Sequence, residues 1–319
     1  MSTLSGDALG IRPLDGVDQD AHNGRDKAGF LTETVYSPDE LYDIVRDFHR
    51  GEGRFADYHG FADSEHPRGV VRVLMDRDVD RDRPYRVDGT AYTLEGRVPI
   101  PETSQEMGWI GTLLDGVQRP QESDWRQHCE GLWDCLTRQA ERVGLPDGYQ
   151  QAYWNDEEDV APGDVNDIYD LLVTCFDDSY IVPLTRDFVS DWFLEEPVST
   201  VIRDETGGIV ATAAAEVARA AGTGVGMLEV VEISEVASHP DYRGQQLAAY
   251  NVQVLCDLVD GYDGKPVVYS QNTAAEPGMT RVATRNGGEF SGVLEGHATV
   301  SNPWQDLVLT RYSGGPDGG

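Results

Sequence analysis

Residues 198–238 read as three strand-like segments in succession, VSTVIRDE, IVATAAAEVAR and GMLEVVEISEVAS, and the glycine-rich AAGTGVG joins the last two as a hairpin would. The run ends at HPDYRGQQLAA, where proline and Arg-Gly stop the strand, and an amphipathic helix pattern continues to about Val259. Few folds accept three consecutive strands whose last must feed a helix through so tight a turn.

Such a turn has a chemical consequence. A helix leaves its first backbone amides unpaired, with the positive end of its dipole behind them, so a loop that curls over this end makes an anion site. Gly244 lets the backbone curl, Arg243 adds a fixed positive charge, and Ala248 and Ala249 keep the helix face thin where a ligand would approach. A pyrophosphate fits a turn of this kind, and a plain capped strand-to-helix turn is the alternative.

The strand, the HPDYRGQQLA turn and the helix together resemble the acetyl-CoA motif of the GNAT N-acetyltransferase superfamily, whose pattern is Arg or Gln, two residues, Gly, one residue, then Gly or Ala. Arg243 and Ala248 fit, Gly244 is the common extra glycine, and Gln246 stands where the middle glycine belongs. From residue 148 to 312 the expected order β-α-α-β-β-β-α-β-α-β-β is similar to that of the superfamily. Within it, VEISEVASHPDYRG is most similar to the strand-to-turn segment of β-lysine N-acetyltransferases, with Glu232 and Glu235 in the acidic places and Ala237, Pro240 and Tyr242 in the run that follows.

The resemblance implies an acetyl-CoA-dependent transfer to an amine. It assigns Val236, Ala237 and Ser238 to the pantetheine arm, Arg243, Gly244, Gln245, Gln246, Leu247 and Ala248 to the pyrophosphate, and Asn272, with Tyr269 near it, to the cofactor arm. Glu235 is expected as the base that takes the amine proton, with Glu232 as the second candidate. Side chains three apart on a regular strand face opposite ways, so only one looks into the cleft unless a bulge intervenes. Tyr180 and Asp178, in the loop DDSYIVPLTRDF, are expected to contact the acceptor. The tyrosine that relatives place on the last helix to protonate the leaving thiolate is replaced by Ala283. Either another group or water does this work, or the fold serves as a non-catalytic acyl-CoA-binding regulatory module. A protein amine is the further alternative to a small-molecule acceptor.

Elsewhere the chain reads as an α+β protein. SPDELYDIVRDFHR carries Ser37, Pro38 and Glu40 as a helix start and buries Leu41, Ile44, Val45 and Phe48 on one face. GVVRVLMD and TAYTLEGRVPI read as strands and ESDWRQHCEGLWDCLTRQAERVG as a helix, so 29–145 is expected as a separate, smaller α+β domain, with GLPDG at 144–148 as the boundary. Residues 1–28 and 313–319 are expected as disordered tails.

The 319 residues hold 57 acidic and 25 basic side chains, a formal charge of −32. The carboxylates are spread along the chain, as in a surface adapted to high salt, and no basic cluster suits nucleic acid. No apolar run suits a membrane span and no signal pattern opens the chain, so a cytoplasmic protein, alone or as a homodimer, is expected. Cys129, Cys135, Cys175 and Cys256 form no CxxC pair, and His49, His59, His66 and His128 lack ligand spacing, so no metal is expected.

Overall fold

The computed structural model describes residues 17–18, 26–56, 68–113, 135, 141–154, 160–161, 163–176, 184–187, 189–190, 198–222, 226–260, 265–274, 277–298 and 305–312. The first described elements are two strands, β1 (Val17–Asp18) and β2 (Asp26–Tyr36), and the helix α1 (Pro38–Arg50). Strands β3 (Arg68–Asp76), β4 (Tyr85–Val87), β5 (Thr90–Pro99) and β6 (Gln105–Leu113) follow. The second half has β7 (Gln150–Trp154), α2 (Asp164–Phe176), β8 (Val198–Arg203), β9 (Ile209–Gly222) and β10 (Gly226–Ser238). It ends with α3 (Leu247–Asp260), β11 (Val267–Thr273), α4 (Pro277–Arg285), β12 (Gly288–Ala298) and β13 (Gln305–Tyr312).

Local chemistry sets these boundaries. The Glu40 carboxylate accepts from both the backbone N–H and the hydroxyl of Ser37, which starts α1, and Gly51 stops it in the left-handed region at φ 63°. Leu41, Ile44, Val45 and Phe48 are buried on its inner face, as their spacing requires. His49 is buried with them against the Tyr92 hydroxyl, and burial lowers its pKa.

All of these strands belong to one mixed sheet in the order β1-β2-β3-β6-β5-β12-β13-β11-β10-β9-β8-β7, with β4 paired to β5 beside it. The stretch from β12 to β7 follows the element order expected for 148–312. Of the second expected helix there, residues 186–187 and 189–190 are helical, with the Val189 N–H bonded to the Thr185 carbonyl.

The expected separate N-terminal domain is not confirmed. The two halves meet edge to edge where Gly292 of β12 faces Gly96 of β5. They also share a core in which Val70, Leu74, Val98, Met107 and Trp109 pack with Leu228, Val230, Tyr269, Leu294 and Leu309. An alternating strand announces that it has an apolar face but not which other face will cover it. Of the residues expected as an N-terminal tail, Val17–Asp18 pairs with Lys27 and Ala28, and β2 begins at Asp26, while 1–16 and 19–25 lie outside the described residues. The closing residues 313–319 and nearly all of the helix expected around 122–144 lie outside the described residues.

Candidate active site

Strand β10 holds β9 along most of its length but β11 only briefly. The parallel pairing with β11 covers Val230↔Val267, Val231↔Val268 and Glu232↔Tyr269 and ends there, while β10 runs on to Ser238 and β11 to Thr273. Beyond Glu232 the two strands part, and β11 keeps its other neighbour, β13, as far as Thr273. The parting opens a wedge lined by strand edges, the surface against which an extended polar arm makes main-chain hydrogen bonds.

At the same level β10 is bulged. Its register with β9 shifts between Ser234↔Ala214 and Ala237↔Thr212, so β10 has one residue too many, and Glu235 takes φ 49°. A carboxylate residue in the left-handed region costs about 1–3 kcal/mol, and such strain persists where the surroundings hold it. Packing shows the shift directly: Ile233 and Val236, three apart, both pack on the α3 side, whereas Ala237 packs on the α2 side. The alternation that separates Glu232 from Glu235 on a regular strand is therefore suspended here.

Glu232 is half-buried and tied down. Its carboxylate accepts from the Tyr269 hydroxyl at 2.8 Å and from the Gln271 amide at 2.9 Å. Tyr269 is buried, and that burial, with Glu232 beside it, pushes its pKa well above the usual phenol value, so it remains a donor. Trp109 from the N-terminal half stands edge-on to Tyr269 at 5.5 Å between ring centres, so the two halves meet behind Glu232.

The turn after β10 carries the other half of the site. Pro240–Tyr242 forms a short 3-10 helix, and the His239 ring nitrogen accepts from the Asp241 N–H, which makes His239 a cap. Tyr242 is fastened from outside: its hydroxyl donates to Asp204 at 2.7 Å. Asp204 also accepts from the Thr206 side chain and from the Thr206 and Gly208 amides, and these bonds, that of Thr206 first, lower its pKa to about 2.

Gly244 at φ 83° and Gln246 at φ 67° are both left-handed, so the backbone curls twice before Leu247 starts α3. A Cβ on Gly244 meets nothing within 4 Å, so glycine is there for its φ and not for space. The Gln246 carbonyl accepts the first helical N–H, from Tyr250, while its side-chain oxygen accepts from Arg285 at 2.9 Å. The Gln245 oxygen accepts from the Tyr149 hydroxyl. The Gln246 side chain thus turns to α4, and Arg285, missed in the sequence, stands beside the turn with Arg243.

Arg243 and the Ser238 carbonyl both engage Cys175 at the end of α2. The thiol donates to that carbonyl at 3.3 Å, and burial raises its pKa against the opposing pull of the Arg243 guanidinium. Val236, Ala237 and Ser238 line the bulged edge of β10. Leu247 is buried and Ala248 half-buried in the first turn of α3.

Asn272 is buried and donates to Ser270 and, at 3.4 Å, to Thr310, so its amide nitrogen is used inside the sheet. Ala283 is buried in α4. Tyr180 and Asp178 lie outside the described residues. Among the described residues no three His, Cys, Asp or Glu side chains come together as metal ligands, and no helix is long and apolar enough to cross a membrane.

No protein-family profile matches the chain, and no curated protein matches it. Solved structures similar to it include Arabidopsis thaliana NAA60 in complex with a bisubstrate analogue, 15% identical over 51% of this chain and 98% of that one, with a TM-score of 0.42. Others are the loading GNATL domain of CurA from Lyngbya majuscula, 14% identical over 52% and 97% at 0.41, and the ribosomal-protein-S18-alanine N-acetyltransferase from Escherichia coli, 12% identical over 53% and 98% at 0.39.

Proposed function

We propose that the chain is a GNAT-type N-acetyltransferase that moves the acetyl group of acetyl-CoA to the amine of a small molecule. The observation that carries the reading is the conjunction, within one strand, of the parting from β11, the bulge at Glu235 and the doubly left-handed turn into α3. The residues present fit the group. Strand edges beside Val236, Ala237 and Ser238 suit an extended pantetheine arm, and the first amides of α3 with Arg243 and Arg285 suit a pyrophosphate. When bound, acetyl-CoA supplies an acetyl carbon activated as a thioester.

Glu235 takes the proton that the amine must shed to attack, and the backbone N–H groups turned out of the ladder by the bulge meet the negative charge that develops on the carbonyl oxygen. The Tyr269 and Gln271 side chains hold Glu232 in place on the acceptor side. The spelling of the strand-to-turn segment makes β-lysine the first acceptor to try. A calorimetric titration with acetyl-CoA, with CoA as competitor, tests the reading, and no heat at any salt concentration would sink it.

One observation favours a second reading. Ala283 leaves α4 without the hydroxyl that relatives use for the leaving thiolate, as in a binding module that has lost its chemistry. Binding of acetyl-CoA without transfer to any amine would select that reading.

A further inference from the structure

Apart from β8 and β7 at one edge, the strand order is a palindrome about the seam: β1-β2-β3-β6-β5 on one side, β9-β10-β11-β13-β12 on the other. The connections agree. In each half an antiparallel pair, β1/β2 or β9/β10, leads into a parallel crossover through one helix, β2-α1-β3 or β10-α3-β11. Two antiparallel strands then close each half, β5 with β6 and β12 with β13, and the later of the two lies beside the crossover strand. The registers agree as well, because Leu94↔Ile110 is followed by Gly96↔Trp109, and Phe290↔Thr310 by Gly292↔Leu309, the same shift at the same place. Gly96 and Gly292 are therefore equivalent, and they are the pair that meets across the seam. An antiparallel contact in which equivalent residues face each other is the isologous contact of a two-fold dimer. The shared core follows the same relation, with Val70, Val98, Met107 and Trp109 answering to Tyr269, Leu294, Leu307 and Leu309.

Only one of the two copies is open. Strand β10 leaves β11 after Glu232↔Tyr269, whereas β2 passes the equivalent pair, Lys27↔Val70, and with register shifts stays on β3 as far as Tyr36↔Met75. Residues 239–246 curl between β10 and α3, but Ser37 alone separates β2 from α1. The first turn of α3 has no acidic residue, while that of α1 holds Asp39 and Glu40, with the Glu40 carboxylate bonded to Ser37. Carboxylates at a helix N-terminus take the place of an anion and repel another. The sheet differs in step: Ser270, Asn272 and Thr310, joined by hydrogen bonds, answer to Val71, Val73 and Ile110, which are buried in the apolar core with α1.

We infer that the N-terminal half is a closed second copy of the cofactor-binding half, joined to it as a partner subunit would be, and that the chain works alone with one acetyl-CoA site. The edge of β12 that a second chain would need is already paired to β5. The inference rests on the acetyltransferase reading only for the identity of the ligand.

The test joins sedimentation of the full chain with calorimetric titration of acetyl-CoA on the same samples. The mass of a single chain is expected across about a hundred-fold range of concentration, over which a dimer would reveal itself by mass action. One acetyl-CoA is expected per chain. Replacing the exposed Arg243, as Arg243→Ala, is expected to weaken that one site at least about ten-fold, the scale of a hydrogen bond to a charged group. Two acetyl-CoA per chain, or wild-type affinity in Arg243→Ala, shows the N-terminal copy to be open and overturns the inference, as does a stable dimer of chains. No binding of acetyl-CoA overturns the transferase reading instead, and sedimentation then decides the partner role by itself: a single chain upholds it and a dimer removes it.

Discussion

The two halves of the sheet use the same strand chemistry to opposite ends. In the N-terminal half β3 and β6 pair without a break from Arg68↔Leu113 to Asp76↔Gln105, and α1 lies over a largely apolar face. In the C-terminal half β10 breaks its ladder twice within a few residues, at Glu232 on the β11 side and at Glu235 on the β9 side. An uninterrupted ladder satisfies every backbone group and has nothing to offer a ligand, whereas an interrupted one carries strain and displays N–H groups. The N-terminal half also shifts register, between β2 and β3 and between β5 and β6, but it keeps β3 and β6 unbroken at its centre, whereas in the C-terminal half the breaks fall on β10, where the candidate site lies.

The sharpest way to break that comparison is at the bulge. Glu235→Gln keeps the size and the bulge but removes the proposed base, so kcat/KM for an amine is expected to fall by about 10²- to 10⁴-fold while acetyl-CoA affinity holds. Steady-state rates and calorimetry on the same sample check it, and full activity transfers the role away from Glu235. On the regular side, Trp109 is fully buried between the halves, and Trp109→Ala is expected to cost about 3–5 kcal/mol in denaturant unfolding. A loss much smaller than that means that the halves do not share a core.

Next in size is the seam between the halves. A Cβ at Gly292 falls 2.2 Å from the Glu95 carbonyl oxygen and 2.5 Å from the Gly96 Cα, so backbone on both sides must move. Gly292→Ala is expected to destabilise by about 1–3 kcal/mol through overpacking. Unfolding that separates into two transitions shows the halves uncoupled, and a single shifted transition shows one cooperative body.

How far all this was legible depended on whether the signal was local. The helix start at Ser37-Pro38-Glu40, the strand at Gln150–Trp154, the helix at Asp164–Phe176 and the turn at Arg243-Gly244 are written in neighbouring residues and are found as read. The meeting of Gly96 with Gly292 and of Trp109 with Tyr269 joins residues far apart, and nothing local marks it. The repeat was passed over for a similar reason: it is written in strand order and register, which no stretch of neighbouring residues shows. The bulge was foreseen only as a condition, because no residue type in ISEVAS demands one.

Asp204 offers a smaller, pH-dependent probe of how firmly the turn is held. Its folded pKa, about 2, lies below the ordinary carboxylate value near 3.9, so the stability it contributes is complete above about pH 4 and is lost as pH falls toward 2. Acetyl-CoA affinity, measured relative to that of Asp204→Ala, is expected to weaken through the same window as Tyr242 loses its acceptor. Parallel pH profiles for the two proteins disconnect the anchor from the site.

The smallest effect is expected where the sequence raised the most concern. Gln246 replaces a glycine, yet its side chain points to Arg285 and its unusual feature is the backbone angle. Gln246→Gly removes left-handed strain worth about 1 kcal/mol and also one exposed hydrogen bond, so the two changes nearly cancel. Acetyl-CoA affinity is therefore expected to shift by less than about three-fold, which corresponds to under 1 kcal/mol. A large gain in affinity instead means that the side chain swings into the turn in solution, and that the bond to Arg285 is what cofactor binding must break.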